Sequence, residues 1–152
     1  MKFPYMAVPT RQPVPSLGGQ QVRHRPVLAV LLSGTATPQL RDGLLDTGAD
    51  DTVFSAAVAT ALGVDLSQAE QRSISLAGRP QPVLCRYIAV QLRISDGIEI
   101  FEWPATVGFV SARLHYALLG QASFLQFFSA DFDGEAHIVT LTPKPSFPGR
   151  RL

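Results

Sequence analysis
Three aspartates fall within six positions of the stretch LLDTGADDTVF, residues 44–54: Asp46, Asp50 and Asp51. Asp46 directly follows two leucines. A carboxylate at the end of an apolar run is removed from water, and its charged form is disfavoured unless donors reach it. Thr47, Gly48 and Ala49 come next. Glycine lets the backbone turn sharply and approach a neighbour, threonine adds a small hydroxyl, and alanine keeps the turn compact. The segment is suited to presenting one carboxylate from a rigid loop. A single carboxylate is a poor hydrolytic device. Two that share a proton divide the work: one draws a proton from water while the other protonates a substrate carbonyl. The chain has one such loop, so the second Asp46 is expected from a copy related by a two-fold axis.

The surrounding elements read as mostly β. PVLAVLL (26–32) has the composition of a buried strand, and residues 33–43 read as a loop or loose hairpin returning into the leucine pair. TVFS is short and β-branched. AAVATALGV (56–64) is alanine-rich and helical, with Gly63 as its stop. Residues 73–85 read as a hairpin with Gly78 near the tip. YIAVQLRI (87–94) alternates, with Ile88, Val90, Leu92 and Ile94 on one face. IEIFEW and ATVGFV suggest two further strands. Residues 116–128 read as a strand, a glycine turn and a short helix. Residues 130–142 read as a closing hairpin turning at Asp133-Gly134. LLDTGAD with its helix and LLGQASFLQFF share one plan: an apolar pair, a tight turn, then a helix. Nothing alternates with long crossover helices, which argues against a doubly wound parallel sheet.

The bulk properties leave few function classes open. The 152 residues suggest one domain. Thirteen basic against twelve acidic residues give a net charge of +1, which supplies no field for nucleic acid or an anionic membrane. No apolar run has the length of a spanning helix. Pro4 and Pro9 interrupt the first ten residues, which lack a signal-like apolar core. One cysteine, Cys85, precludes an intrachain disulfide framework and fits a reducing compartment. The expectation is a cytoplasmic protein. Residues 1–24, rich in proline and glycine, read as an N-terminal arm, either an interface strand or a pro-segment. Residues 143–152 read as a flexible basic tail.

Other motifs carry less. His24, His115 and His137 have no ligand spacing, so no metal and no cofactor is expected. DFDG (131–134) opens like a calcium loop, but Thr142 stands at the twelfth position, where a glutamate is needed. Cys85 reads as a small core residue. Asp-Thr-Gly alone is most often a turn with an Asx hydrogen bond.

The whole stretch from Leu44 to Val53, however, resembles the active-site segment of retropepsins, the single-domain aspartic proteases of retroviruses and their relatives. RPVLAVLL upstream is similar to that family's lead-in to its first core strand. LLGQASFLQFF resembles its second motif, and SLAGRP lies where its flap belongs. The resemblance covers roughly residues 25–142 and looks nearest the bacterial branch, which carries a helix after the Asp-Thr-Gly strand. It implies a mainly β, closed, barrel-like fold with two short helices in a two-fold homodimer. It implies an aspartic endopeptidase acting on extended polypeptide, with Asp46 catalytic and Thr47 and Gly48 supporting it. Gly48, Ala49, Asp50, Asp51, Val53, Ile74, Leu76, Ala77, Gly78 and Arg79 would contact substrate, residues 76–79 as the flap. Thr47, Asp50 and Arg25 would make dimer contacts, Arg25 pairing with the partner's Asp50. Ala49 gives the carboxylate pair no hydroxyl, which implies a mildly acidic optimum. Three features depart from the family pattern. Gln121 stands where many retroviral enzymes have an arginine, Pro80 and Pro82 flank the flap tip, and the N-terminal arm is long. The alternative is a non-catalytic peptide-binding or scaffolding dimer on the same fold.

Overall fold
A computed structural model describes all 152 residues. The alternating stretch becomes the longest strand, β8 (Val83–Ser95), which buries Val90, Leu92 and Ile94. It turns at Asp96 into β9 (Ile100–Val110), in register from Cys85 opposite Val110 to Ser95 opposite Ile100. The two strands expected over 100–110 are therefore one. Pro104 is tolerated because it faces an unpaired stretch of β9's other edge. That edge pairs with β13 (Arg150–Arg151) at Phe101 and Glu102, and with β6 (Val53–Ser55) only from Gly108 onward.

Six strands close a ring in the order β9, β6, β10 (Ala117–Leu119), β5 (Gln39–Leu45), β4 (Val27–Ser33) and β8, with β8 pairing back to β9. The expected closed β barrel is thus present. β7 (Glu70–Ile74) and β13 extend it at either side. Trp103, Phe109, Phe124, Leu32, Leu92 and Leu119 fill the interior, all essentially inaccessible to water. Each such side chain contributes about 1.5–3 kcal/mol by burial.

The repeated plan of the sequence is visible in three dimensions. β10 runs parallel to β5 with Leu118 beside Leu44 and Leu119 beside Leu45, so the two leucine pairs lie in register. β10 also pairs antiparallel with β6 through Leu118 and Val53. It is therefore threaded between the two strands that flank the Asp46 loop.

Several local expectations are corrected. Residues 39–43 belong to β5, which leaves only 34–38 as loop. The first helix, α1, is Ala56–Ala61, with Gly63 left-handed at φ 67° beyond its end as expected. The second helix shrinks to a single 3-10 turn, Leu125–Phe127. Phe124, Leu125 and Phe128 are all drawn into the core, and the chain extends again at once into β11 (Phe128–Asp133). The turn into β12 (Ile138–Pro143) is four residues long, with Asp133 Oδ1 accepting the N–H groups of Glu135 and Ala136. The N-terminal arm is an ordered hairpin, β2 (Met6–Val14) with β3 (Gln20–Arg25), preceded by β1 (Lys2–Pro4) on the edge of β12. Residues 143–152 are docked rather than loose. Phe147 meets Trp103, Phe101 and Phe128, and Arg150 reaches Glu102 at 3.2 Å. Proline suppressed the strand signal there while the single phenylalanine supplied the anchor. No helix is long and apolar enough to cross a membrane.

Asp96 ties this frame to the N-terminus. Its Oδ1 accepts the N–H groups of Glu99 at 2.8 Å and Ile98 at 3.0 Å, and its Oδ2 accepts Lys2 N–H at 2.9 Å. These backbone donors, Glu99 foremost, hold its pKa down at about 2 against an ordinary 3.8. A carboxylate with a depressed folded pKa contributes stability above its unfolded value and loses it as pH falls through the folded one. Asp96→Ala should therefore lower the thermal midpoint at neutral pH, and the gap to wild type should narrow as pH falls from about 4 towards 2. Melts across that range check it. A gap independent of pH would show that the carboxylate's charge is not what the three donors hold.

Candidate active site
The Asp46 loop is held by its own backbone and by the chain that follows β10. Asp46 Oδ1 accepts Gly48 N–H at 2.9 Å, and Ala49 N–H donates to the Asp46 carbonyl at 3.2 Å. The carboxylate is thereby oriented by a local turn, as the Asp-Thr-Gly composition suggests. Asp46 N–H donates to Leu119 O at 3.1 Å. Gln121 and Ala122 N–H donate to Ala49 O at 2.9 Å and Asp50 O at 2.8 Å. Thr52, almost fully buried, donates its hydroxyl to Ala122 O at 2.8 Å. Gly120 permits this approach. A Cβ there would land on the Asp51 carbonyl and within 2.7 Å of Ala49 O.

Gln121, at the departure from the family pattern, is not idle. Its Nε2 donates to the Thr47 carbonyl at 3.1 Å and braces the loop. Thr47 itself is exposed, Asp46 half-buried.

Two adjoining hollows flank the loop. One, of about 320 Å³, is lined by Gly48, Ala49, Asp50, Asp51 and Val53, by Ser73, Ile74, Ser75 and Leu76, and by Leu118. The other, of about 290 Å³, holds Asp46 with Gly48, Ala49, Leu76 and Ala77. The segment between β7 and β8 thus lies across the loop through Leu76 and Ala77. Gly78, left-handed at φ 79°, and Arg79 stand at its exposed tip and line neither hollow. Arg25 is elsewhere within the chain, on β3 beside a hollow that contains His24 and His137.

Sequence reasoning missed part of the wall. Leu44, Ser75, Leu114, His115, Tyr116 and Leu118 complete the second hollow. The alternation of YALLG carried some of this signal, since Ala117 and Leu119 face the core and Tyr116 and Leu118 the opposite side. Tyr87 was also missed. Its hydroxyl donates to Asp51 Oδ2 at 2.7 Å. Burial, then the Asp51 hydrogen bond, push its phenol well above the usual range. Behind it, burial pushes the Cys85 thiol up, consistent with a packing role.

Residues 30–122 match the model of a family described as aspartyl protease, more than half of the chain and the whole of the loop and its brace. The chain belongs to that family. It is accordingly a peptide hydrolase, and the barrel is the retropepsin-like fold of its expected class. A retropepsin-like aspartic protease from Rickettsia conorii is similar in structure, with a TM-score of 0.50 and 18% identity over 76% of this chain and 81% of that one. EIAV protease, solved with the inhibitor HBY-793, matches at a TM-score of 0.43 and 22% identity, covering 64% of this chain and 82% of its own. No curated protein matches the sequence.

Proposed function
We propose that this aspartyl protease is a homodimeric endopeptidase in which one Asp46 from each subunit shares a proton. The observation that carries the reading is the lone Asp46 loop, which one chain provides once and holds at the mouth of an open cleft. One carboxylate takes a proton from water as the water attacks the scissile carbonyl carbon. The other gives its proton to the carbonyl oxygen, so no covalent intermediate forms. Thr47 is exposed on the loop, where its hydroxyl can bond across the two-fold axis. The Gly48 carbonyl accepts a substrate N–H, and Asp50 and Asp51 edge the cleft. Residues 76–79 close over an extended peptide bound as an added strand. Val53, Ile74 and Leu76 favour apolar side chains on either side of the scissile bond. Arg25 serves as the partner's contact for Asp50, and the 1–24 arm as interface or removable segment around a protease domain of residues 25–142. A buried, unpaired Cys85 suits the cytoplasm.

Cleavage of an unfolded protein at pH 4–7 over a range of enzyme concentrations tests the dimer. Specific activity should rise with concentration until the dimer saturates, and a statine-type transition-state analogue should abolish it. Specific activity independent of concentration in a monomer by sedimentation would overturn the shared site.

A further inference from the structure
We infer that Tyr87 sets the selectivity of the cleft by restraining the Asp51 carboxylate, an inference that rests on the protease reading of that cleft. The hollow containing Asp51 is lined by Val53, Ile74, Leu76 and Leu118, by Ser73 and Ser75, and by the solvent-exposed Asp50. Of its two carboxylates Asp51 is the half-buried one, and such a carboxylate favours a cationic guest more than an exposed one does, because the charge gains most from a partner where water is scarce. Tyr87 supplies a partner from within. It stands on β8, opposite Glu70 of β7 and Gly108 of β9, and its hydroxyl donates to Asp51 Oδ2 at 2.7 Å. The space for its ring is made by Gly108, where a Cβ would strike Cys85 Sγ and stand 3.4 Å from Tyr87 Cε1. The phenol stays protonated through any working pH, since burial and Asp51 both oppose its ionisation. The donor is therefore permanent. With one Asp51 oxygen occupied, a lysine or arginine gains less from Asp51 than an unrestrained carboxylate would give it, and the apolar groups beside it favour neutral side chains. Tyr87 is a positioning residue: it acts on substrate through Asp51. It also links the base of the covering segment to the loop that carries Asp46.

The test is digestion of a mixed peptide library by wild type, Tyr87→Phe, Asp51→Asn and the double variant, with kcat and KM resolved on selected peptides. Tyr87→Phe should raise kcat/KM about fivefold for peptides with lysine or arginine at one position, the scale of a newly available charge pair. The gain should appear in KM, with kcat on apolar peptides within about twofold. The double variant should lack it. Asp51→Asn alone should keep wild-type selectivity, because its amide oxygen still accepts the Tyr87 hydroxyl. An unchanged library profile for Tyr87→Phe, or a shifted one for Asp51→Asn, would overturn the inference. If Tyr87→Phe does not fold, the Asp51→Asn profile decides alone. If wild type cleaves nothing, the protease reading fails by itself. Affinities of lysine and leucine peptide pairs for the same variants then decide the role of Tyr87, by the same gain or its absence.

Discussion

Asp46→Asn should abolish cleavage, lowering kcat/KM on the order of 10⁴-fold, while the protein keeps its fold. Asparagine is isosteric, and its side-chain oxygen can still accept the Gly48 N–H that Asp46 Oδ1 receives at 2.9 Å. The local turn therefore survives. The lost function is the transfer of a proton to and from water and substrate, which an amide cannot perform at any pH in the working range. The dimer reading adds a second expectation. Two carboxylates held close together repel when both are charged, so replacing both by amides should leave the thermal midpoint unchanged or higher. Activity and melting would move in opposite directions, which simple damage to the fold cannot produce. Cleavage by the variant within about tenfold of wild type would remove Asp46 from the chemistry and return the cleft to a peptide-binding role.

How much of this was legible in the sequence depends on which force positions each part. The Asp46 turn was readable because its determinants are local: an Asx bond to Gly48 N–H needs nothing beyond the residues of the loop itself. The strand from Tyr87 to Ile94 was readable because one of its faces is buried, and burial writes a period of two. The second helix was not. Residues 124–128 carry three buried side chains in five positions, and the need to seat Phe124, Leu125 and Phe128 shortens the helix to one turn. The C-terminal segment was misread for a related reason. Its prolines and arginines look loose locally, yet the ring of Phe147 against Trp103 depends on a residue 44 positions away. The Tyr87 to Asp51 hydrogen bond spans 36 residues and leaves no local pattern at all. Gln121 shows the same limit from the other side. Its identity could be compared with a family pattern, but only its position beside Thr47 in the fold reveals the bond it makes.

Gly120→Ala should destabilise the protein by about 2–3 kcal/mol and lower the melting midpoint by about 5–10 °C for a chain of this size. The added methyl meets backbone rather than a movable side chain, namely the Asp51 carbonyl and Ala49 O. Two segments would have to part. Their separation is fixed by Asp46 N–H to Leu119 O, Gln121 N–H to Ala49 O and Ala122 N–H to Asp50 O, at 2.8–3.1 Å. Each such bond is worth about 0.5–1.5 kcal/mol net, so losing any of them adds to the overpacking. All three end on the loop that carries Asp46. The loss of cleavage at temperatures where the variant is still folded should therefore exceed what the unfolded fraction explains. Gly134→Ala supplies the contrast. Gly134 has open space around its missing side chain and no left-handed backbone, so alanine there should be neutral or stabilise by a few tenths of a kcal/mol through the unfolded chain. Urea titrations and initial rates on both variants separate the cases. A wild-type midpoint and rate for Gly120→Ala would mean that the strand threaded between β5 and β6 does not set the geometry of the loop. The brace would then lie in Thr52 and Gln121 alone, whose side chains join the same two segments through Ala122 O and Thr47 O.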